Sequence, residues 1–115
     1  MSQILKGEVC LAELSPTVGS EISRKRPVLI VSNDINNQFA DTVSIVPITS
    51  TTSKIYLFEV FLPKEEGGLI NDSKAKYNQI RTIDKQRIER KFGKISLEKL
   101  KEIEKAILIH LDIEI

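Results

Sequence analysis

Few groups in this chain could do covalent chemistry, and their scarcity narrows the reaction. There is one histidine, His110, one cysteine, Cys10, and no tryptophan. A Ser-His or Cys-His nucleophile would have to recruit His110. That residue stands near the chain end beside an apolar helical stripe, and it reads as a solvated residue favourable to a helix C-terminus. Cys10 lies inside an apolar strand pattern and reads as a small core residue. No His, Cys or carboxylate set stands at ligand spacing, so no zinc or iron site is expected and no cofactor is called for. Gly67-Gly68 lacks the lysine that a phosphate loop would place after it, and reads as a turn.

Two polar segments remain. Gly19-Ser20-Glu21-Ile22-Ser23-Arg24-Lys25-Arg26 runs straight into an apolar strand, and the hydroxyl run Thr49-Ser50-Thr51-Thr52-Ser53 begins where a second apolar strand ends. Pro27 biases the backbone of Arg26 toward extended geometry. A fixed guanidinium can grip a phosphate through two parallel hydrogen bonds. Hydroxyls and an arginine converging at two strand ends would therefore make a phosphate site. On these residues alone, a basic loop and a Ser/Thr-rich turn that keep the chain soluble remain the simpler account.

The elements that must carry these groups follow from patterning. Glu8 to Leu14 alternates loosely and stops at Ser15-Pro16, where proline ends ladder pairing. Thr17 to Lys25 has no period and reads as an exposed loop. Pro27-Val28-Leu29-Ile30-Val31-Ser32 is apolar on both faces, the pattern of a buried strand. Asn33-Asp34 caps a short helical turn to about Phe39. Thr42 to Ile48 reads as a second doubly buried strand, with Pro47 arguing for an edge position or a bulge. Further strands are expected over Tyr56 to Leu62 and, with Tyr77, Ile80 and Ile83, over Lys74 to Ile83. Ser96 caps a helix whose apolar positions Leu97, Leu100, Ile103, Ile107 and Leu111 follow the helical period, interrupted by Glu104. Short strands followed by one helix indicate an α+β fold, a small curled sheet or barrel covered by a C-terminal helix.

With 115 residues the chain is expected to form one domain, 1–115, large enough to bury a core without staples. A hydrophobic fraction of 41% and a charged fraction of 29% exclude global disorder. The lone cysteine forbids an internal disulfide, and neither a secretory h-region from Met1 to Glu8 nor a spanning segment is visible, so a cytoplasmic protein without membrane contact is expected. A net charge of only +1 means that any nucleic acid must be met by local patches.

Several segments together resemble the MazF/PemK toxin family. They are Gly7-Glu8-Val9, Leu14 to Glu21, Arg26-Pro27-Val28-Leu29-Ile30-Val31-Ser32-Asn33-Asp34, Thr42-Val43-Ser44-Ile45-Val46-Pro47-Ile48-Thr49-Ser50, and Gln79-Ile80-Arg81-Thr82-Ile83-Asp84-Lys85-Gln86-Arg87. Their order and spacing match over nearly the whole chain, from about Gly7 to Leu111. The resemblance implies a small SH3-like β-barrel with short helices and a C-terminal helix, a homodimer, and sequence-specific, metal-independent cleavage of single-stranded RNA. It assigns catalytic roles to Arg26 and Thr49. It also places Ser20, Glu21, Asn78, Gln79 and Arg81 near the RNA path; Ser50 is a further RNA-binding candidate, and Arg24, Lys25, Arg81 and Lys85 are candidates for attraction to the RNA backbone. Departures in the first strand (Cys10-Leu11) and in the loop (Ser23-Arg24-Lys25) bear on which sequence is cut.

RNA carries its own nucleophile, the 2′-hydroxyl beside each phosphate. An enzyme need only align it, assist proton movement and stabilise phosphate charge, giving a 2′,3′-cyclic phosphate and a 5′-hydroxyl. Arg26 would bind the non-bridging oxygens and Thr49 the same phosphate. An arginine, charged at neutral pH, is a poor general base, and Glu21 is a conceivable one. By the same resemblance, the partner is a MazE-like antitoxin with an acidic tail that orders on binding, DNA being met only through it. The rival reading is a non-catalytic gyrase poison similar to CcdB, a group with a tryptophan-containing C-terminal end. Here the chain ends Asp112-Ile113-Glu114-Ile115. An inactive SH3-like interaction module is the third.

Overall fold

A computed structural model describes residues 3–114. Met1, Ser2 and Ile115, which enter the sequence readings as chain ends, lie outside the described residues. In chain order the elements are β1 (Glu8–Glu13), β2 (Lys25–Ile30), α1 (Asp34–Phe39), β3 (Thr42–Thr49), β4 (Val60–Leu62), β5 (Ser73–Ala75), β6 (Arg81–Asp84), β7 (Ile88–Lys94) and α2 (Leu97–His110), with 3₁₀ turns at Glu66–Gly68, Tyr77–Gln79 and Lys85–Arg87. The strands form one antiparallel sheet in the order β4-β5-β3-β2-β1-β7, with β6 also paired to β3. The α+β expectation holds, but the sheet is curled and open, not a closed barrel: β7 has β1 as its only strand partner in this order.

β2 and β3 read as apolar runs because both of their faces are buried. Val9, Leu29, Val46 and Ile48 enter one core with Leu62, Tyr77, Ile95 and Ile103. Their neighbours Cys10, Ala12, Val28, Ile30, Val43 and Ile45 enter a second, closed by Ile83 and Ile88. Helix α2 covers the first core through fully buried Ile103, flanked by Leu100 and Ile107. Truncating Ile103 to alanine would cost roughly 2–5 kcal/mol. Leu97 and Leu111, counted in the apolar stripe, are exposed at 66% and 49%; they stand at the two ends of α2, away from buried Ile103. Glu104 breaks the stripe to meet Lys6 at 2.5 Å. Both expected caps are present: Asn33 accepts from the Asn36 N–H and Ser96 from the Lys99 N–H.

Three strand expectations change. Pro47 lies in the central strand β3, not at an edge. β3 pairs with β6 as far as Ile45 and with β5 from Ile48 onward, and the Pro47 carbonyl, on that same side, accepts from the Lys76 N–H. A strand residue's N and O point the same way, so the missing N–H of Pro47 falls in the gap between partners, where no strand asks for it. Tyr56 to Leu62 is strand only from Val60; a turn from Tyr56 to Glu59 precedes it. Lys74 to Ile83 is two short strands divided by the Tyr77–Gln79 turn, again because β3 changes partner there.

Candidate active site

The β2–β3 ladder runs Ile30↔Ile45, Leu29↔Val46, Val28↔Pro47 and then stops. The next pair in register would be Pro27↔Ile48, and Pro27 has no N–H to donate. The strands are therefore free to part, and one step further the register sets Arg26 across from Thr49. Both residues line one cavity of about 450 Å³, together with Lys25, Ser50, Asn71 and Arg90. Arg26 Nε donates to the Ser23 carbonyl at 3.2 Å, which aims the side chain while leaving both Nη groups free of protein hydrogen bonds among the described residues. The Thr49 hydroxyl accepts from the Thr51 N–H at 3.3 Å and keeps its own proton for another acceptor. Convergence of the arginine with the hydroxyl run, drawn from two strand ends, is present.

The other candidates divide. Ser20, Glu21, Asn78, Gln79 and Arg81 line a second hollow of about 540 Å³. There Gln79 bridges two segments: it accepts from the Ile22 N–H at 2.7 Å and donates to the Ser20 carbonyl at 3.2 Å. Arg81 donates to the Leu14 carbonyl at 3.3 Å, and Glu21 accepts from the Val18 N–H at 2.8 Å. Asn78 Oδ1 is buried without a hydrogen-bond partner among the described residues. Lys25 is ion-paired to Glu89 at 3.0 Å. Arg24 lines neither cavity; it sits at φ 69, its N–H bound to Ser15 Oγ. Glu21 does not line the Arg26 cavity, so its proximity to a reacting 2′-hydroxyl there has no support in the geometry.

Sequence reasoning missed Arg87 and Arg90. Arg87 Nη1 holds the carbonyls of Glu13 and Ser15 at 3.0 and 2.7 Å, fixing the start of the loop that leads to Arg26. Its position in the Lys85-Gln86-Arg87 turn, which opposes nothing in the linear pattern, gave no signal. Cys10 is fully buried, and its thiol is pushed up to about 11 by burial and then by the Glu8 carboxylate, against Lys91, which suits the core role. His110 is exposed at the end of α2, edge-on to Tyr77 at 5.9 Å.

Residues 5–111 match the family model of the PemK-like, MazF-like toxins of type II toxin–antitoxin systems. The chain belongs to the MazF/PemK family. It is 37% identical over 113 residues to the endoribonuclease MazF9 of Mycobacterium tuberculosis, spanning 94% of this chain and 96% of that protein. MazF from Deinococcus radiodurans superposes with a TM-score of 0.86 at 23% identity, covering 98% of this chain and all of that one. A mycobacterial endoribonuclease solved with its cognate antitoxin gives 0.78 at 22% identity, over 100% and 99% of the two chains. The MazF fold is thus reproduced over nearly the whole chain.

Proposed function

We propose that this chain is an endoribonuclease toxin that cuts single-stranded RNA without a metal, and that the whole chain acts as one toxin domain. The observation that carries the reading is the meeting of Arg26 and Thr49 at the parted ends of β2 and β3, in a chain 37% identical to an endoribonuclease of the family. The 2′-hydroxyl attacks the adjoining phosphorus, the P–O5′ bond breaks, and the products carry a 2′,3′-cyclic phosphate and a 5′-hydroxyl. The free Nη groups of Arg26 take the non-bridging oxygens as charge builds on them, and Thr49 donates to the same phosphate. The second hollow, with Ser20, Asn78, Gln79 and Arg81, receives unstacked bases further along the strand.

A MazE-like antitoxin restrains the enzyme by occupying this path, a homodimer is the working form, and DNA is met only through the antitoxin. Among the described residues no helix is long and apolar enough to cross a membrane, and we place the activity in the cytoplasm, where its substrate is. The gyrase-poison reading gives way, since the family model and the relatives are of the MazF kind.

The test is incubation of purified protein with a long single-stranded RNA in EDTA, with the cut ends mapped. Discrete cuts that share a short sequence, end in cyclic phosphate and vanish when the nucleotide 5′ to the cut is 2′-deoxy are expected. Cleavage that survives the deoxy substitution would sink the 2′-hydroxyl mechanism, and cleavage abolished by EDTA would sink the metal-independent one.

A further inference from the structure

The Arg26 cavity has a wall that none of the assignments above uses. It is built where the Glu66–Gly68 turn lies flat against β7. Gly68, at φ 79, approaches the Phe92 carbonyl so closely that a Cβ there would collide with it, and a Cβ on Gly93 would lie 3.0 Å from the Gly67 backbone. This backbone-on-backbone contact sets Leu69, Ile70 and Asn71 beside Phe92 and Arg90 in one cavity with Arg26 and Thr49. Arg90 and Phe92 are two apart on β7, and the guanidinium carbon lies 5.0 Å from the phenyl centroid. Among the described residues Arg90 has no ion pair and no side-chain hydrogen bond, unlike Lys25 on the same rim. Through Leu11 the register connects Arg90 to Pro27, two strand spacings or about 10 Å away. That is the reach from one phosphate of a single strand to the base of an adjoining nucleotide.

We propose that Arg90 and Phe92 form a nucleotide subsite beside Arg26 and Thr49, in which the ring-seated guanidinium stacks on the base next to the scissile phosphate. The inference rests on the RNA-cleaving reading. A guanidinium already seated against a ring loses little further side-chain freedom when a base stacks on it, and Arg90 is exposed enough to accept one. The exposed Ile70 side chain supplies apolar surface to the same cavity. Stacking of this kind tolerates any base, so the subsite adds affinity at one position and leaves the base choice to other contacts.

The probe is a short RNA spanning one mapped cut, made cleavage-resistant by a single 2′-deoxy nucleotide, plus versions abasic at each flanking position in turn. Binding is read by fluorescence anisotropy for the wild type, Arg90→Ala and Arg90→Lys, with kcat and KM on the all-ribose RNA. Arg90→Ala should weaken binding roughly 5- to 100-fold and raise KM with kcat nearly unchanged, and Arg90→Lys should recover little of it. One abasic position should erase the difference between wild type and variant. An equal loss on every oligonucleotide, or full rescue by lysine, would overturn the stacking subsite in favour of general charge attraction, and no loss would overturn it outright. Wild type that still cuts the 2′-deoxy probe would overturn the 2′-hydroxyl reading alone, leaving the Arg90 comparison decided by KM on the all-ribose RNA.

Discussion

In the cavity beside Arg26 the polar side chains keep most of their hydrogen-bonding capacity, whereas in the hollow beside Gln79 much of it is committed to backbone. Arg26 spends one N–H on Ser23, and Thr49 spends one lone pair on Thr51. Gln79, by contrast, uses both ends of its amide on the loop that holds Ser20 and Ile22, and Arg81 reaches the Leu14 carbonyl. Groups reserved for a substrate carry the chemistry, while groups tied to the loop hold that chemistry in place. Arg26 itself hangs from Ser23 of the same loop, so the second region acts on the first through a single short stretch of chain.

The sharpest way to break the contrast is Arg26→Ala. Single-turnover cleavage should fall by about 10²–10³, some 3–4 kcal/mol of transition-state stabilisation, with circular dichroism unchanged, since no buried partner is orphaned. A loss of only a few-fold would remove Arg26 from the chemistry. Gln79→Ala should act differently and less. Leaving the Ile22 N–H without its partner costs about 1–3 kcal/mol, so hydrogen exchange at Ile22 should quicken and thermal stability drop. Cleavage should slow through misplacement of Arg26, with kcat and KM both moving. If KM alone changed and exchange stayed slow, Gln79 would be a simple RNA contact.

The smallest expected effect is on stability in acid. Glu59, with a side chain 1% exposed, meets Lys74 at 3.0 Å and Lys76 at 3.7 Å. Burial raises its carboxyl, but the Tyr56 N–H and the two lysines outweigh that and hold it below its ordinary 4.5. Its stabilising contribution is therefore complete above about 4.5 and is lost as pH falls through the lower folded value. Urea midpoints measured from neutrality down through that window should decline more steeply for the wild type than for Glu59→Gln, which should be weaker at neutral pH. Parallel declines would show that this pair does not govern acid stability.

Local chemistry was legible in the sequence where the partner lay nearby. Asn33 and Ser96 cap within three residues, and Pro27 marks its own break in the ladder, so the short helix, the long helix and the Arg26 mouth could all be read. Tyr56 to Glu59 was misread as strand because its turn is pinned by Lys74, fifteen positions away, and a distant ion pair overrode the β preference of Tyr-Leu-Phe. Arg90 was invisible for a related reason. On a strand rich in charge, beside Glu89 and Lys91, it resembles any solvated arginine, until a turn more than twenty residues earlier folds against β7 and makes its rim part of a cavity.

That turn has a consequence for how the enzyme could change its diet. Gly67, Gly68 and Gly93 meet main chain to main chain, so the width of the cleft is set by atoms that every residue shares and that mutation elsewhere does not resize. Ile70, Asn71 and Arg90 line this fixed gauge and take no part in the glycine contact. Substitution at Ile70 and Asn71 can retune which nucleotide is accepted beside the cut, and at Arg90 how tightly it is held, while the scissile phosphate stays at the same distance from Arg26. Substitution at the glycines cannot be tuning at all, since it changes the ruler.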